Sequence, residues 1–183
     1  MKSILYFLVK FLIKLVYLAY KAEGLNALFL LMPAKLIAPT LRQHGAIIGQ
    51  NIEIHSPLII HNASPEKGKH YANLVIGDDC YFGREVFFDL KDQVRIEDRV
   101  TVSMRVTFIT HTDVGKSPLA EQIPPSHAPI TLRQGAYIGA AATLLQGVEI
   151  GECGVVAAGA LVNRSVPDHT TAAGVPARPI QQV

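Results

Sequence analysis

Over most of this 183-residue chain a hydrophobic side chain recurs at every sixth position. Ile48, Ile54, Ile60, then Ile76, Phe82, Phe88, then Ile96, Val102 and Phe108 hold that interval, and after a break Leu132, Ile138, Leu144, Ile150, Val156 and Val162 resume it. None of these fifteen positions is polar. An α-helix needs apolar residues at a mean spacing of about 3.6 and a half-buried strand needs simple alternation, so neither produces a strict six. A chain that turns a corner once per unit does. Each unit then supplies one short strand with an inward-facing residue, and small or turn-favouring residues follow, as at Gly49, Gly77, Gly83, Gly139 and Gly151. Three units make a triangular coil of 18 residues. Coils stack by parallel strand pairing, and the stack rather than the single coil is the stable unit.

Three interruptions break the period. Residues 64–73, SPEKGKHYAN, form a polar excursion, Asp92 and Gln93 make a two-residue bulge, and residues 112–129 form an 18-residue loop rich in proline and polar groups. Long loops on a rigid scaffold are where function concentrates.

The first 45 residues follow a different pattern. In MKSILYFLVKFLIKLVYLAYK, helical spacing gathers Ser3, Lys10, Lys14 and Lys21 into a narrow stripe flanked by Tyr6 and Tyr17, with aliphatic and aromatic residues around most of the rest. Lys10 and Lys14 interrupt the apolar run well short of the roughly 18 residues that read as a membrane-spanning helix. The same interruptions, with no small-x-small site after them, argue against a cleaved signal peptide. A second apolar run, Ala27–Met32, stops at Pro33 and reads as another short helix. Residues 1–45 are therefore expected to form an amphipathic helical segment that lies on a membrane or caps the open end of the solenoid, and residues 46–183 the β-domain with its loop at 112–129.

Charge sharpens this division. Residues 1–45 carry five Lys and one Arg against one Glu, a net +5, whereas the remainder holds eleven basic and fourteen acidic side chains, a net −3. Cations interleaved with long apolar side chains suit an anionic lipid surface, and they do not suit nucleic acid. The two cysteines, Cys80 and Cys153, form no CxxC pair, which argues against a disulfide framework or structural zinc and for a reducing compartment.

Units such as YIGAAATLLQGVEIGECGVVAAGALV resemble the hexapeptide-repeat acyltransferase family, from about Gly45 to Ile180, and within it the maltose, galactoside and colanic-acid O-acetyltransferase group. The resemblance implies a mainly β fold, a left-handed parallel β-helix, and a homotrimer with its site between subunits. In that group a catalytic His follows a rung and precedes an extended loop that ends in a motif similar to API-x-L-x-x-GAYIGA. Here APITLRQGAYIGA occupies residues 128–140, which makes His111 the matching position. Imidazole titrates near neutral pH and suits general-base transfer from a thioester to a hydroxyl, without a covalent intermediate. Where the family has an Asn one coil upstream, this chain has Glu85, a departure; Glu85 is the expected partner, with Asp89 as the alternative that orients the ring.

Family contacts to acyl-CoA map onto Ala140, Ala158, Asn163, Arg164 and Arg178. Small residues there admit the pantetheine to the backbone, and the arginines suit the phosphates. Gln181 replaces a usually basic residue. His55, His61 and His127 compete poorly as the base. No His stands five residues after His111, so a zinc-hydrase site on this fold is not expected, and no metal is. The expected activity is acetyl-CoA-dependent O-acetylation of a saccharide hydroxyl, on a lipid-linked or envelope polysaccharide precursor, at the cytoplasmic face of the inner membrane. The alternatives are N-acylation or longer-chain transfer to an amino sugar or lipid, and a non-catalytic scaffold or membrane adaptor.

Overall fold

A computed structural model describes the backbone of residues 2–182 and the side chains of residues 7–181; Ser3 and Tyr6 of the predicted stripe therefore lie outside the described side chains. Short parallel strands stack into three sheets that form the walls of a triangular, left-handed solenoid. The first wall holds Ile47–Ile48, Leu74–Ile76, Val94–Ile96, Ile130–Leu132 and Glu149–Ile150. The second holds Glu53–Ile54, Tyr81–Phe82, Thr101–Val102, Tyr137–Ile138, Val155–Val156 and Thr170–Gly174, to which Ala177–Gln182 adds as an antiparallel outer strand. The third holds Leu58–His61, Val86–Asp89, Thr107–Ile109, Thr143–Leu145 and Leu161–Val162.

All fifteen six-residue-repeat positions are buried. They align in register along the stack, Ile48 on Ile76 on Ile96 on the first wall and Phe88 on Phe108 on the third. Phe88 and Phe108 stack with centroids 4.9 Å apart, and Phe82 meets Phe88 edge to face. The corners need tight backbone geometry. At Gly139 an added Cβ would meet the amide nitrogen of Ala158 at 2.5 Å, so the next coil can lie this close only above a residue without a side chain.

The N-terminal segment folds as α1 (Lys2–Leu28), with non-helical backbone at Lys21, and α2 (Ala34–Gln43). Past the kink the chain covers the open end of the first coil. Leu25, Phe29, Met32, Leu36, Ile37 and Leu41 are buried in one core with the repeat residues. The second apolar run is thus the end of α1 and a turn packed over the barrel, because Phe29 and Met32 face inward and the Phe29 carbonyl accepts from the Leu58 amide at 3.2 Å. The excursion at 64–73 clasps this cap. Tyr71 is fully buried against Phe29 and donates to Asn26 Oδ1 at 3.0 Å, and His70 Nδ1 donates to the Ser64 carbonyl at 2.6 Å. Among the described residues no helix is long and apolar enough to cross a membrane.

Candidate active site

The functional geometry gathers at the corner between the third and first walls. The strand Val86–Asp89 alternates in burial until its last residue, where Asp89 turns inward and is almost wholly buried. A buried carboxylate must be hydrogen-bonded on most of its lone pairs. Asn62 Nδ2 donates to Oδ1 at 2.7 Å, and the Thr110 amide and hydroxyl donate to Oδ2 at 2.9 and 3.0 Å. The Lys91 amide donates to Oδ1 at 3.3 Å, and His111 Nδ1 donates to Oδ2 at 2.5 Å. Burial pushes the Asp89 carboxyl up, but the bonds from His111, Asn62 and Thr110 outweigh it and hold the group below the usual carboxylate range. Asp89 remains an anion that fixes the proton on His111 Nδ1. The other ring nitrogen, Nε2, is left as an acceptor on a side chain about a quarter exposed.

His111 begins the interrupting loop, which is partly ordered by its own pairing. His111–Thr112 and Ser126–His127 form an antiparallel ribbon in which His111 stands opposite His127, and a 3-10 turn at Pro118–Glu121, capped by the Ser117 hydroxyl, crosses the tip. Gln146, from the next coil, donates to Ser126 Oγ at 3.0 Å and ties the ribbon to the solenoid. The bulge contributes as well. Asp92 Oδ2 accepts from His127 Nδ1 at 2.7 Å, so the ribbon carries two His–carboxylate pairs. His61, two coils beneath and directly below Asp89, places its ring 6.4 Å from that of His111.

The partner expected at Glu85 is a correction. Glu85 sits at the opposite end of the same rung, at the corner before Val86 with φ +60°, and accepts from Arg105 Nε at 2.8 Å in an exposed pair. Four residues of strand separate it from Asp89, roughly 13 Å, out of reach of the imidazole. The carboxylate that meets His111 is Asp89, the expected alternative. His127 and His61 were discounted in the sequence. For His61 the signal there is positional, since the repeat count sets it beneath Asp89, whereas His127 lies in the loop, where no period places it.

The expected acyl-CoA residues cluster differently. Ala140 and Ala158 stand one above the other at the corner between the second and third walls, where the Gly159 amide donates to the Ala140 carbonyl at 2.8 Å. Ala140 borders a surface cavity of about 370 Å³ with Tyr81, Ser103 and Met104. Asn163, Arg164 and Arg178 are exposed at the last coil, and Arg178 Nη1 approaches Asn163 Oδ1 at 3.5 Å while donating to the Ala177 carbonyl at 2.7 Å. Small residues that leave the backbone open, leading to two guanidinium groups, fit a slender chain ending in phosphates. Ala140 and Ala158 lie at the opposite end of the third wall from His111, whereas Asn163 and Arg164, which follow Val162, lie at the same end as His111 two coils further on. Among the described residues no group of three His, Cys, Asp or Glu side chains converges as metal ligands.

A stack of short parallel rungs around three walls is the fold found in solved hexapeptide-repeat acetyltransferases, here with a His–Asp pair at one corner. The resemblance seen in the repeats holds at the level of the fold. A hexapeptide-repeat acetyltransferase of Vibrio cholerae superposes with a TM-score of 0.76, 22% identity, and coverage of 93% of this chain and 92% of that one. A galactoside acetyltransferase in complex with coenzyme A superposes with a TM-score of 0.72, 24% identity, and coverage of 87% and 78%. In sequence, the 2,3,4,5-tetrahydropyridine-2,6-dicarboxylate N-acetyltransferase of Enterococcus faecalis is 50% identical over 60 residues, 33% of this chain and 26% of that protein. The chain thus spans about a quarter of the length of that relative. No family model matches the chain.

Proposed function

We propose that the protein is an acetyl-CoA-dependent O-acetyltransferase acting on a saccharide hydroxyl, carried on a membrane lipid or an envelope polysaccharide precursor. The observation that carries the reading is the buried Asp89 that holds His111 in one tautomer with Nε2 outward. Acetyl-CoA, lying along Ala140 and Ala158 with its phosphates toward Arg164 and Arg178, supplies an activated acetyl group. His111 Nε2 takes the acceptor's hydroxyl proton as that oxygen bonds to the acetyl carbon, and returns it to the sulfur as the C–S bond breaks. Asp89 stays ionised and stabilises the imidazolium formed between the two steps.

Because Ala140 and Ala158 stand at the opposite end of one wall from the base, the reading places the pantetheine corner of one copy against His111 of the next. A homotrimer meets that requirement, as the family resemblance implies. The exposed apolar helix with its lysines supports a peripheral position on the cytoplasmic face of the inner membrane. The similarity to a named N-acetyltransferase favours a second reading, transfer to an amine. The same base serves either acceptor once the amine is neutral.

Release of free thiol from acetyl-CoA against free sugars, nucleotide sugars, lipid-linked saccharides and cyclic or sugar amines separates these. Turnover with hydroxyl acceptors alone is expected. Turnover with amines alone would replace O-transfer by N-transfer, and silence across the panel without coenzyme A binding would make the solenoid a scaffold.

A further inference from the structure

The first half of α1 carries an unusual surface. Phe7, Leu8, Phe11, Leu12, Leu15 and Leu18 are each about half exposed or more, and together they form one continuous stripe along the helix. The opposite side, Val9, Ile13 and Tyr17, packs on the core. Lys10 and Lys14, one turn apart, fall on the boundary between the two sides. They lie beside a cleft of about 440 Å³ between α1 and α2, bordered also by Tyr17, Pro39, Gln43 and His44. Among the described residues no carboxylate lines it. Its floor is apolar and aromatic, with the Tyr17 and His44 rings 4.3 Å apart.

We infer that this cleft binds the phosphate of an anionic membrane lipid, whose chains lie along the exposed stripe of α1. Two ammonium groups beside the Gln43 side chain supply charge and hydrogen bonds for a phosphate, and the volume accommodates a headgroup. The adjoining stripe is long enough, and apolar enough, to enter the acyl boundary, which a water-soluble phosphate would leave uncovered. A second copy of the chain is a poorer occupant. It would bring the lysines at the edge of the stripe toward each other. The inference rests on the membrane position proposed above and adds to it a defined headgroup site.

The test is co-sedimentation of the full chain with phosphatidylcholine vesicles, with and without phosphatidic acid. Wild type is expected to bind only the vesicles containing phosphatidic acid. The double variant Lys10→Gln, Lys14→Gln should lose at least about three-hundredfold in affinity, well beyond the roughly thirtyfold that two lysines lose together, at about fivefold each, from diffuse attraction to an anionic surface. Lys35→Gln, the same kind of charge change on α2 outside the cleft lining, should lose no more than about fivefold. Equal losses per lysine at all three positions would overturn the headgroup site and leave membrane association standing. Absence of vesicle binding by wild type would remove both, while acetyl transfer to a soluble acceptor, read in parallel, would show the chemistry intact. Self-association that disappears in Phe11→Ser, Leu15→Ser would assign the stripe to another copy and overturn the inference.

Discussion

Asp89 owes its role to being the last residue of its rung. There it is shielded from water yet meets donors from four positions, Asn62, Lys91, Thr110 and His111. Its carboxyl is held below the usual range, so its stabilising contribution is complete above the ordinary carboxylate pKa of about 4 and is lost as pH falls through the lower folded value. Thermal melting from pH 7 downward should therefore show a loss of stability in acid that is smaller in Asp89→Asn, whose amide does not titrate. The same variant leaves the imidazole free to choose the wrong tautomer, and kcat/KM should fall by about 10² to 10⁴. A fall confined to KM would mean that Asp89 only shapes the acceptor site. The proposed base was legible in the sequence because a motif, APITLRQGAYIGA, marks the end of the loop that His111 begins. Its partner was less so. Glu85 and Asp89 belong to one rung, and only the placement of the corner, with Glu85 at positive φ beside Arg105, decides which carboxylate is inward.

At the scale of elements, the repeat dictated the rungs because every coil tests the same requirement. An inward position that met water or a polar group would break the stack at that level. Phe108 shows what one rung contributes. It is fully buried between Phe88 below and Leu144 above in the same column. Phe108→Ala should destabilise the fold by about 3–5 kcal/mol in chemical denaturation, since a rigid stack relaxes little into the cavity. A loss under about 1 kcal/mol would mean that the column does not carry the core. The connections were less legible, for a physical reason: their residues answer to different neighbours and share no period. SPEKGKHYAN reads as a polar loop, yet His70 and Tyr71 within it are buried under the helical cap. The ribbon that sets His127 opposite His111 has no periodic signature either, being fixed by Gln146 and by Asp92 at the bulge.

Across the whole molecule, the solenoid is closed at its N-terminal end by α2 and the second half of α1, and the first half of α1 is left with its apolar stripe in solvent. Amphipathic spacing had left two roles open for residues 1–45, and the chain divides them along its length: past Lys21 the buried residues cap the coils, and before it the exposed ones carry the proposed membrane contact. Charge follows the same division, since Lys10 and Lys14 border the stripe. With Ala140 and Ala158 at the opposite end of one wall from the proposed base, catalysis as proposed requires more than one copy. Sedimentation equilibrium in detergent should accordingly give three chains per particle, and a strictly monomeric chain with full turnover would contradict the shared site.

The central claim is that His111, oriented by Asp89, is the base for acyl transfer. Its most direct test is the rate of coenzyme A thiol release from acetyl-CoA with a turned-over acceptor, comparing wild type with His111→Ala at matched fold, verified by circular dichroism. The account predicts a fall of about 10² to 10⁴ in kcat with melting temperature and coenzyme A binding retained. Equal rates from the two proteins would contradict it.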